Sequence, residues 1–407
     1  MKKQLAAVAL AAAMVLGACG STQTASSTVT AEAASEAVSE SAVSESTASE
    51  SEAVESGAEA AESAETEAPE SGDIVSSMLG QGGADAASVV ASATPASMLE
   101  SKIEDLPEVV ASVSASDVEG ILSALDGVEN GAVNYSFGSQ KVQVLKEKEE
   151  DTETDKSDVL GKIGESVDEN DVFGMMIGSD DRFEMSDEIT ASYPSCATVF
   201  MVVEYEGEIY YQGTGALIDG NSVVTAASAI YNPDLGGWPV SVTVIPAFLT
   251  TGETPCGIYA ATDAELMVDF YTSANIAHDT GGDWASYAPA EANIGVLTLE
   301  SDLSAVTGYY GLASLLEGSV AGMGIYNLAY DDNANFVAAE GTVTDSTDGL
   351  LFFDSDTDET MTGSPLFIAD DYDYSVIGLV TGTAYGQNAG VRFTEDDVNW
   401  ILDKASY

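Results

Sequence analysis

Thr198 to Ala227 reads TVFMVVEYEGEIYYQGTGALIDGNSVVTAA, and this stretch decides the fold. Its β-branched and aromatic residues fall into three runs, Thr198–Tyr205, Glu208–Ile218 and Ser222–Ala226, parted by Glu206-Gly207 and Asp219-Gly220-Asn221. Val, Ile, Thr and Tyr suit the pleated surface of a sheet, while Gly, Asn and Asp accept the backbone angles of tight turns. Three consecutive short strands are expected.

The texture continues toward the C-terminus in Ser241–Ile245, Ile294–Leu299, Leu350–Phe353, Ser375–Thr381 and Gly390–Phe393. Regularly spaced strands with turn signals between them point to an antiparallel sandwich or barrel. Asp396–Lys404 then reads as one terminal helix with Val398, Ile401 and Leu402 on its apolar side. The expected domain is all-β, closed by a helix.

Upstream the signals are mixed. Ser116-Asp117-Val118-Glu119 is a capping box, followed at helical spacing by Val118, Ile121, Leu122 and Leu125, with Gly127 as the stop. A further helical turn or two is expected around Leu99 to Val113, interrupted by Pro107, and Lys141–Leu145 alternates like a strand. Lys146–Lys156 is a charged loop. Residues 73–176 are thus a partly helical satellite region or a pro-segment remnant, and the sequence leaves both open. From Gly20 to Gly72 there is Ser, Thr, Ala and Glu with no aromatic, Lys or Arg. Such a segment buries too little apolar surface to offset chain entropy and is expected to be a disordered acidic stalk over residues 20–72.

The first residues read as an export signal: Lys2 and Lys3, an apolar stretch from Leu5 to Leu16, then Leu16-Gly17-Ala18-Cys19. Residues 1–19 therefore look like a bacterial lipoprotein signal with its lipobox, Cys19 being the lipidated residue. No other segment is long and apolar enough to span a bilayer, so lipid is the only membrane anchor expected, at the outer face of the cell membrane. Cys196 and Cys256 remain as an even pair in an oxidising setting, and a disulfide is expected; two buried thiols are the other reading. Zinc is disfavoured, because two cysteines and the single histidine do not fill a tetrahedral site unaided. The formal net charge of −58, from 69 acidic and 11 basic residues in 407, argues against nucleic acid or an anionic membrane surface as a partner.

Five further pieces occur in order: Ile177-Gly178-Ser179-Asp180-Asp181-Arg182 with Tyr193-Pro194; Gly213-Thr214-Gly215-Ala216-Leu217-Ile218 with Val223-Val224-Thr225-Ala226-Ala227; Gly236-Gly237-Trp238; Val306-Thr307-Gly308-Tyr309-Tyr310-Gly311; and Gly390-Val391-Arg392-Phe393-Thr394. Together they resemble the bacterial glutamyl endopeptidases, a branch of the trypsin-like serine proteases. The resemblance runs from about residue 177 to 402. It implies a double six-stranded antiparallel β-barrel over residues 177–407.

The resemblance fails where the chemistry belongs. After Thr225-Ala226-Ala227 the family carries its general-base histidine, and this chain has Ser228. At the family's aspartate stands Asn293, before Ile294-Gly295-Val296. The nucleophile motif Gly-Asn-Ser-Gly-Ser-Pro aligns with Thr360-Met361-Thr362-Gly363-Ser364-Pro365, so Thr362 holds the nucleophile position and Thr360 replaces an oxyanion-loop glycine. Ser228 has no nitrogen that takes a proton near neutrality, and Thr362 without a base stays protonated. No catalytic residue is expected, and protease activity is not. The specificity histidine is absent too, since Leu379-Val380 follows Val376-Ile377-Gly378, so a preference for glutamate does not carry over.

Other titratable clusters weigh less. His278 sits in Ala277-His278-Asp279-Thr280, expected as an exposed loop histidine; a non-standard dyad with Thr362 or Ser364 is the minor reading. Asp354, Asp356 and Asp358 have the alternate spacing that opens a calcium loop, but Glu359 and Pro365 stand where Gly and Glu are required. Asp370, Asp371 and Asp373 read as a solvated hairpin tip. No metal and no cofactor is expected. The functional expectation is a surface-anchored lipoprotein carrying an inactive trypsin-like domain (a pseudoprotease) that binds a peptide or protein ligand. Its alternative is a serine-type hydrolase working through Thr362 or Ser364.

Overall fold

A computed structural model describes residues 90–94, 108–128, 131–146, 180, 182–282, 284, 290–316, 318–370, 373–384 and 387–405. Cys19 and its signal, the stalk over 20–72, the charged run over 147–156 and Ile177–Ser179 lie outside the described residues.

Ahead of the barrels come β1 (Val90–Thr94), β2 (Glu108–Ser114), helix α1 (Val118–Leu125), β3 (Ala132–Ser136), β4 (Lys141–Lys146) and the short β5 (Phe183–Glu184). Then follow β6 (Thr198–Tyr205), β7 (Ile209–Leu217), β8 (Ser222–Thr225), β9 (Ser241–Pro246), β10 (Tyr259–Met267), helix α2 (Val268–Asp279) and β11 (Gly295–Leu299). These six strands close on themselves in the ring β6-β7-β8-β11-β10-β9. β12 (Gly311–Leu315) leads out of that ring. A second one is made by β13 (Gly324–Tyr330), β14 (Phe336–Ser346), β15 (Leu350–Phe353), β16 (Pro365–Asp370), β17 (Asp373–Ala384) and β18 (Gln387–Arg392), in the order β13-β14-β15-β18-β17-β16. Helix α3 (Glu395–Ala405) closes the chain. Two closed six-stranded antiparallel barrels with a C-terminal helix are the trypsin-like architecture. Closure pairs each strand of a ring with two ring neighbours, though some strands run past their partners and leave short stretches open.

Local chemistry accounts for the elements. β6 and β7 form a hairpin in register from Thr198↔Ala216 to Tyr205↔Ile209, turning at Glu206-Gly207 where the sequence placed the break. α3 begins with reciprocal capping: Thr394 N–H and Oγ1–H donate to Asp397 Oδ2, and Asp397 N–H returns a bond to Thr394 Oγ1. Where the barrels meet, Phe200 of β6 stacks on Phe248 at 5.0 Å and lies 5.2 Å from Tyr330 of β13. The Tyr330 hydroxyl accepts from Phe248 N–H at 2.9 Å, so the seam is both apolar and directional. A fully buried aromatic anchor of this kind is worth about 3–5 kcal/mol against alanine.

Three expectations are corrected. Glu108–Ser114 is the strand β2, not a helix: β-branched Val109, Val110 and Val113 follow Pro107, and β2 pairs with β4 from Glu108↔Lys146 to Ser114↔Lys141. The stretch 99–107 lies outside the described residues. α1 is capped by Asp117, whose side chain accepts from Gly120 N–H at 3.0 Å, and not by Ser116. Cys196 and Cys256 are free thiols, not a disulfide. Both pack with Ala247 in one small buried cluster, and the Cys196 thiol donates to the Thr307 carbonyl at 3.2 Å. Burial, reinforced by Cys256, pushes the Cys196 thiol up to about 11, so the nucleophilic thiolate that opens disulfide chemistry is scarce.

Candidate functional site

The one-turn helix Ala227–Ile230 after β8 carries Ser228, and Asn293 lies just before β11. Two hydrogen bonds join them: Ser228 N–H donates to Asn293 Oδ1 at 2.8 Å, and Asn293 Nδ2–H donates to Ser228 Oγ at 3.0 Å. The close approach depends on Gly295. A Cβ there would stand 2.9 Å from Ile230 Cδ1 and 3.3 Å from Ala227 Cα, forcing β11 away from the turn. The sequence-assigned base and aspartate positions are therefore brought together, as a neutral pair whose polar atoms satisfy each other.

Thr362 reaches the same place from the second barrel. Its carbonyl accepts Thr214 N–H of β7 at 3.3 Å, and Gly363 holds φ +87° against β8. A Cβ on Gly363 would lie 2.0 Å from Thr225 Oγ1 and 2.5 Å from the Thr214 carbonyl, so only glycine fits this junction. Thr362 is half-buried, and its hydroxyl bonds to none of the described residues.

The loop before Thr362 is a 3-10 turn, Glu359–Met361, with its donors turned inward. Thr360 N–H donates to Asp358 Oδ1 at 3.0 Å, the Thr360 hydroxyl donates to the same oxygen at 2.6 Å, and Thr362 N–H points at the Glu359 carbonyl at 3.4 Å. Asp358 is fixed in turn by Arg182, whose Nη1 lies 2.5 Å from Asp358 Oδ2 and 3.3 Å from Met361 Sδ. Asp180 chelates the other side of that guanidinium, and its hydrogen bond to Arg182 holds its carboxyl below the usual range. Sequence reasoning missed Arg182. It stood in a quoted motif, but nothing local announces a contact with Asp358.

Ser364 is fully buried and accepts from Asn327 Nδ2 at 2.8 Å. His278 lies in the last turn of α2, not in a loop. Its Nε2 is 3.5 Å from Asp234 and its Nδ1 3.5 Å from Asp279, and it bonds to neither Thr362 nor Ser364. Asp234 also accepts Trp284 Nε1–H at 3.0 Å, and α2 packs against the Pro233–Leu235 turn that carries Asp234. The three alternate aspartates diverge. Asp354 accepts Thr342 N–H at 2.6 Å, Asp356 is buried, and Asp358 belongs to the Arg182 network. Among the described residues, no group of three or more His, Cys, Asp and Glu could hold a metal ion. Leu379 and Val380, at the lost specificity position, are buried apolar residues. At the β16–β17 tip Asp370 pairs with Asp373, and Asp371 lies outside the described residues.

The paired six-stranded barrels are the trypsin-like fold. No family model matches the chain. It is 26% identical over 235 residues to an "Extracellular metalloprotease" of Bacillus subtilis (strain 168), spanning 56% of this chain and 68% of that one. Among solved structures it is similar to a Glu endopeptidase in complex with MPD, at 18% identity and a TM-score of 0.47, covering 57% of this chain and 100% of that chain. Protease Anisep from Arthrobacter nicotinovorans gives 15% identity and 0.40, over 52% of this chain and 95% of that chain.

Proposed function

We propose that this chain is a catalytically silent trypsin-like domain that binds an extended peptide or protein segment without cutting it. Lipid on Cys19 would hold it at the outer face of the cell membrane. The observation that carries the reading is the hydrogen bonding of the nucleophile loop. The amides of Thr360 and Thr362, which would have to stabilise a developing oxyanion, donate to the chain's own oxygens. Losing one such donor costs about 10²–10³ in rate, and here both are turned away. Ser228 adds nothing as a base, and its hydroxyl is already bonded to Asn293.

Binding does not need that machinery. β16 partners β17 only as far as Leu379, and beyond it no strand among the described residues covers that side of Thr381–Thr383. An extended peptide adds to such an edge through backbone hydrogen bonds. The similar Bacillus protein bears a metalloprotease name, but among the described residues here no group of three or more His, Cys, Asp and Glu could hold an ion.

The test is twofold. A fluorophosphonate probe and a quenched peptide library, applied to the full chain, are expected to show no labelled residue and no cleavage. A displayed peptide library is expected to yield a bound extended sequence. Labelling at Thr362 or Ser364 overturns the silence, and a folded protein that retains no peptide overturns the binding.

A further inference from the structure

The strands ahead of the barrels complete the first barrel's wall. β10 pairs with β9 only at Tyr259 and Ala260; its other half is taken by β3, from Asp263↔Ser136 to Met267↔Ala132. The sheet then continues through β4 to β2. Side chains follow the backbone. Ile121, Val133, Val142 and Val144 are fully buried in the same continuous cluster as Leu266 and Phe270. Across the seam the Tyr135 ring stacks on Trp238 at 4.9 Å and 14°, and Asn134 Nδ2–H donates to the buried Glu265 at 3.0 Å. α1 packs against α2 as well. A leader destined for release would present a polar, separable face; this one shares a core.

We propose that residues 108–146 are a clamp that stays docked on the first barrel when the chain is cut between Lys146 and Asp180. Proteolysis there yields a two-piece molecule in place of a freed barrel and a released leader. The partner that fits the β10 edge is thus this chain's own N-terminal segment. The inference stands apart from the catalytic silence and does not depend on it.

The experiment places a site-specific protease sequence between residues 150 and 170 of the full chain, cuts it, and applies gel filtration at micromolar protein. The pieces are expected to co-elute and to part only in concentrated guanidinium. A leading piece that elutes alone, while the rest keeps its β-sheet circular dichroism and a cooperative urea transition, overturns the proposal. In the cut protein Tyr135→Ala is expected to speed release of the leading piece about tenfold or more, through loss of the stacked pair and its buried area. Val110→Ala, at a side chain 47% exposed on β2, should leave release unchanged. Equal release from the two variants overturns the assigned seam.

Discussion

Glu265 gives the sharpest quantitative prediction. It lies on β10 with Asn134 of β3 on one carboxylate oxygen, while its other oxygen, Oε2, is buried with no hydrogen-bond partner among the described residues. Burial pushes its carboxyl up to about 7 from an ordinary 4.5; Lys404 of α3 and the Asn134 bond oppose this, and Asp263 adds to it. Below pH 4.5 the group is neutral in folded and unfolded chains alike. As pH rises to 7 the unfolded chain ionises first, so the folded state binds the extra proton and stability falls. The full loss, complete above pH 7, is about 3 kcal/mol for two and a half units. All three tryptophans, Trp238, Trp284 and Trp400, lie in the main core that the first barrel shares with α3, so their fluorescence in urea follows the relevant transition. Glu265→Gln keeps the shape and removes the titration. Its offset from wild type will include whatever the lost partner costs Lys404, so the informative quantity is how the stability difference changes with pH. That difference should move by about 3 kcal/mol in favour of Glu265→Gln between pH 4.5 and 7.5. Two parallel stability curves would refute the buried-carboxyl reasoning.

Three further outcomes are expected. The variant Ser228→His, Asn293→Asp, Thr362→Ser should still fail to hydrolyse peptide substrates, because the Thr360 amide remains on Asp358; turnover at a protease-like rate in that triple variant would sink the closed-loop argument. Gly363→Ala should cost about 2–5 kcal/mol in chemical denaturation, from a left-handed backbone angle and a forced contact with Thr225; a loss under 1 kcal/mol would contradict the junction. Both core thiols should resist a thiol reagent in the native protein and react in denaturant without prior reduction, and mass spectrometry finding Cys196 linked to Cys256 would reverse that reading.

The barrels were legible wherever strands carry β-branched or aromatic residues between Gly, Asn or Asp turns, as in β6, β7, β8 and β15. β10 and β14 were not. Tyr-Ala-Ala-Thr-Asp-Ala and Phe-Val-Ala-Ala-Glu-Gly place alanine where strands usually advertise themselves, and only ring closure decides their state. α2 escaped for the reverse reason. Phe270, Ala274 and Ala277 are buried at helical spacing, but two of the three are too small to mark an apolar stripe. The disulfide expectation came from counting cysteines, and counting is blind to a thiol that packs as a buried hydrogen-bond donor. The resemblance named Ser228, Asn293 and Thr362, and the structure joins the first two by hydrogen bonds. The closure of the oxyanion loop was not legible, because it rests on Arg182 and Asp358, 176 positions apart.

Catalysis in a trypsin-like site requires donors that wait unsatisfied for a charge not yet formed, and that readiness is a local cost in stability. Under the proposed silence this chain carries no such cost, and its hydrogen bonds fit that reading. Asn293 and Ser228 satisfy each other, Thr360 closes on Asp358, and Arg182 neutralises Asp358 and ties it to the strand that enters the second barrel. The same logic explains why single reversions are poor routes back. A histidine at 228 meets a neutral amide, a serine at 362 meets no base, and a glycine at 360 leaves Asp358 still held by Arg182. On the proposed silent reading, activity would require the pair, the nucleophile and the loop to change together, and the loop first, since it alone decides whether a tetrahedral intermediate finds a donor.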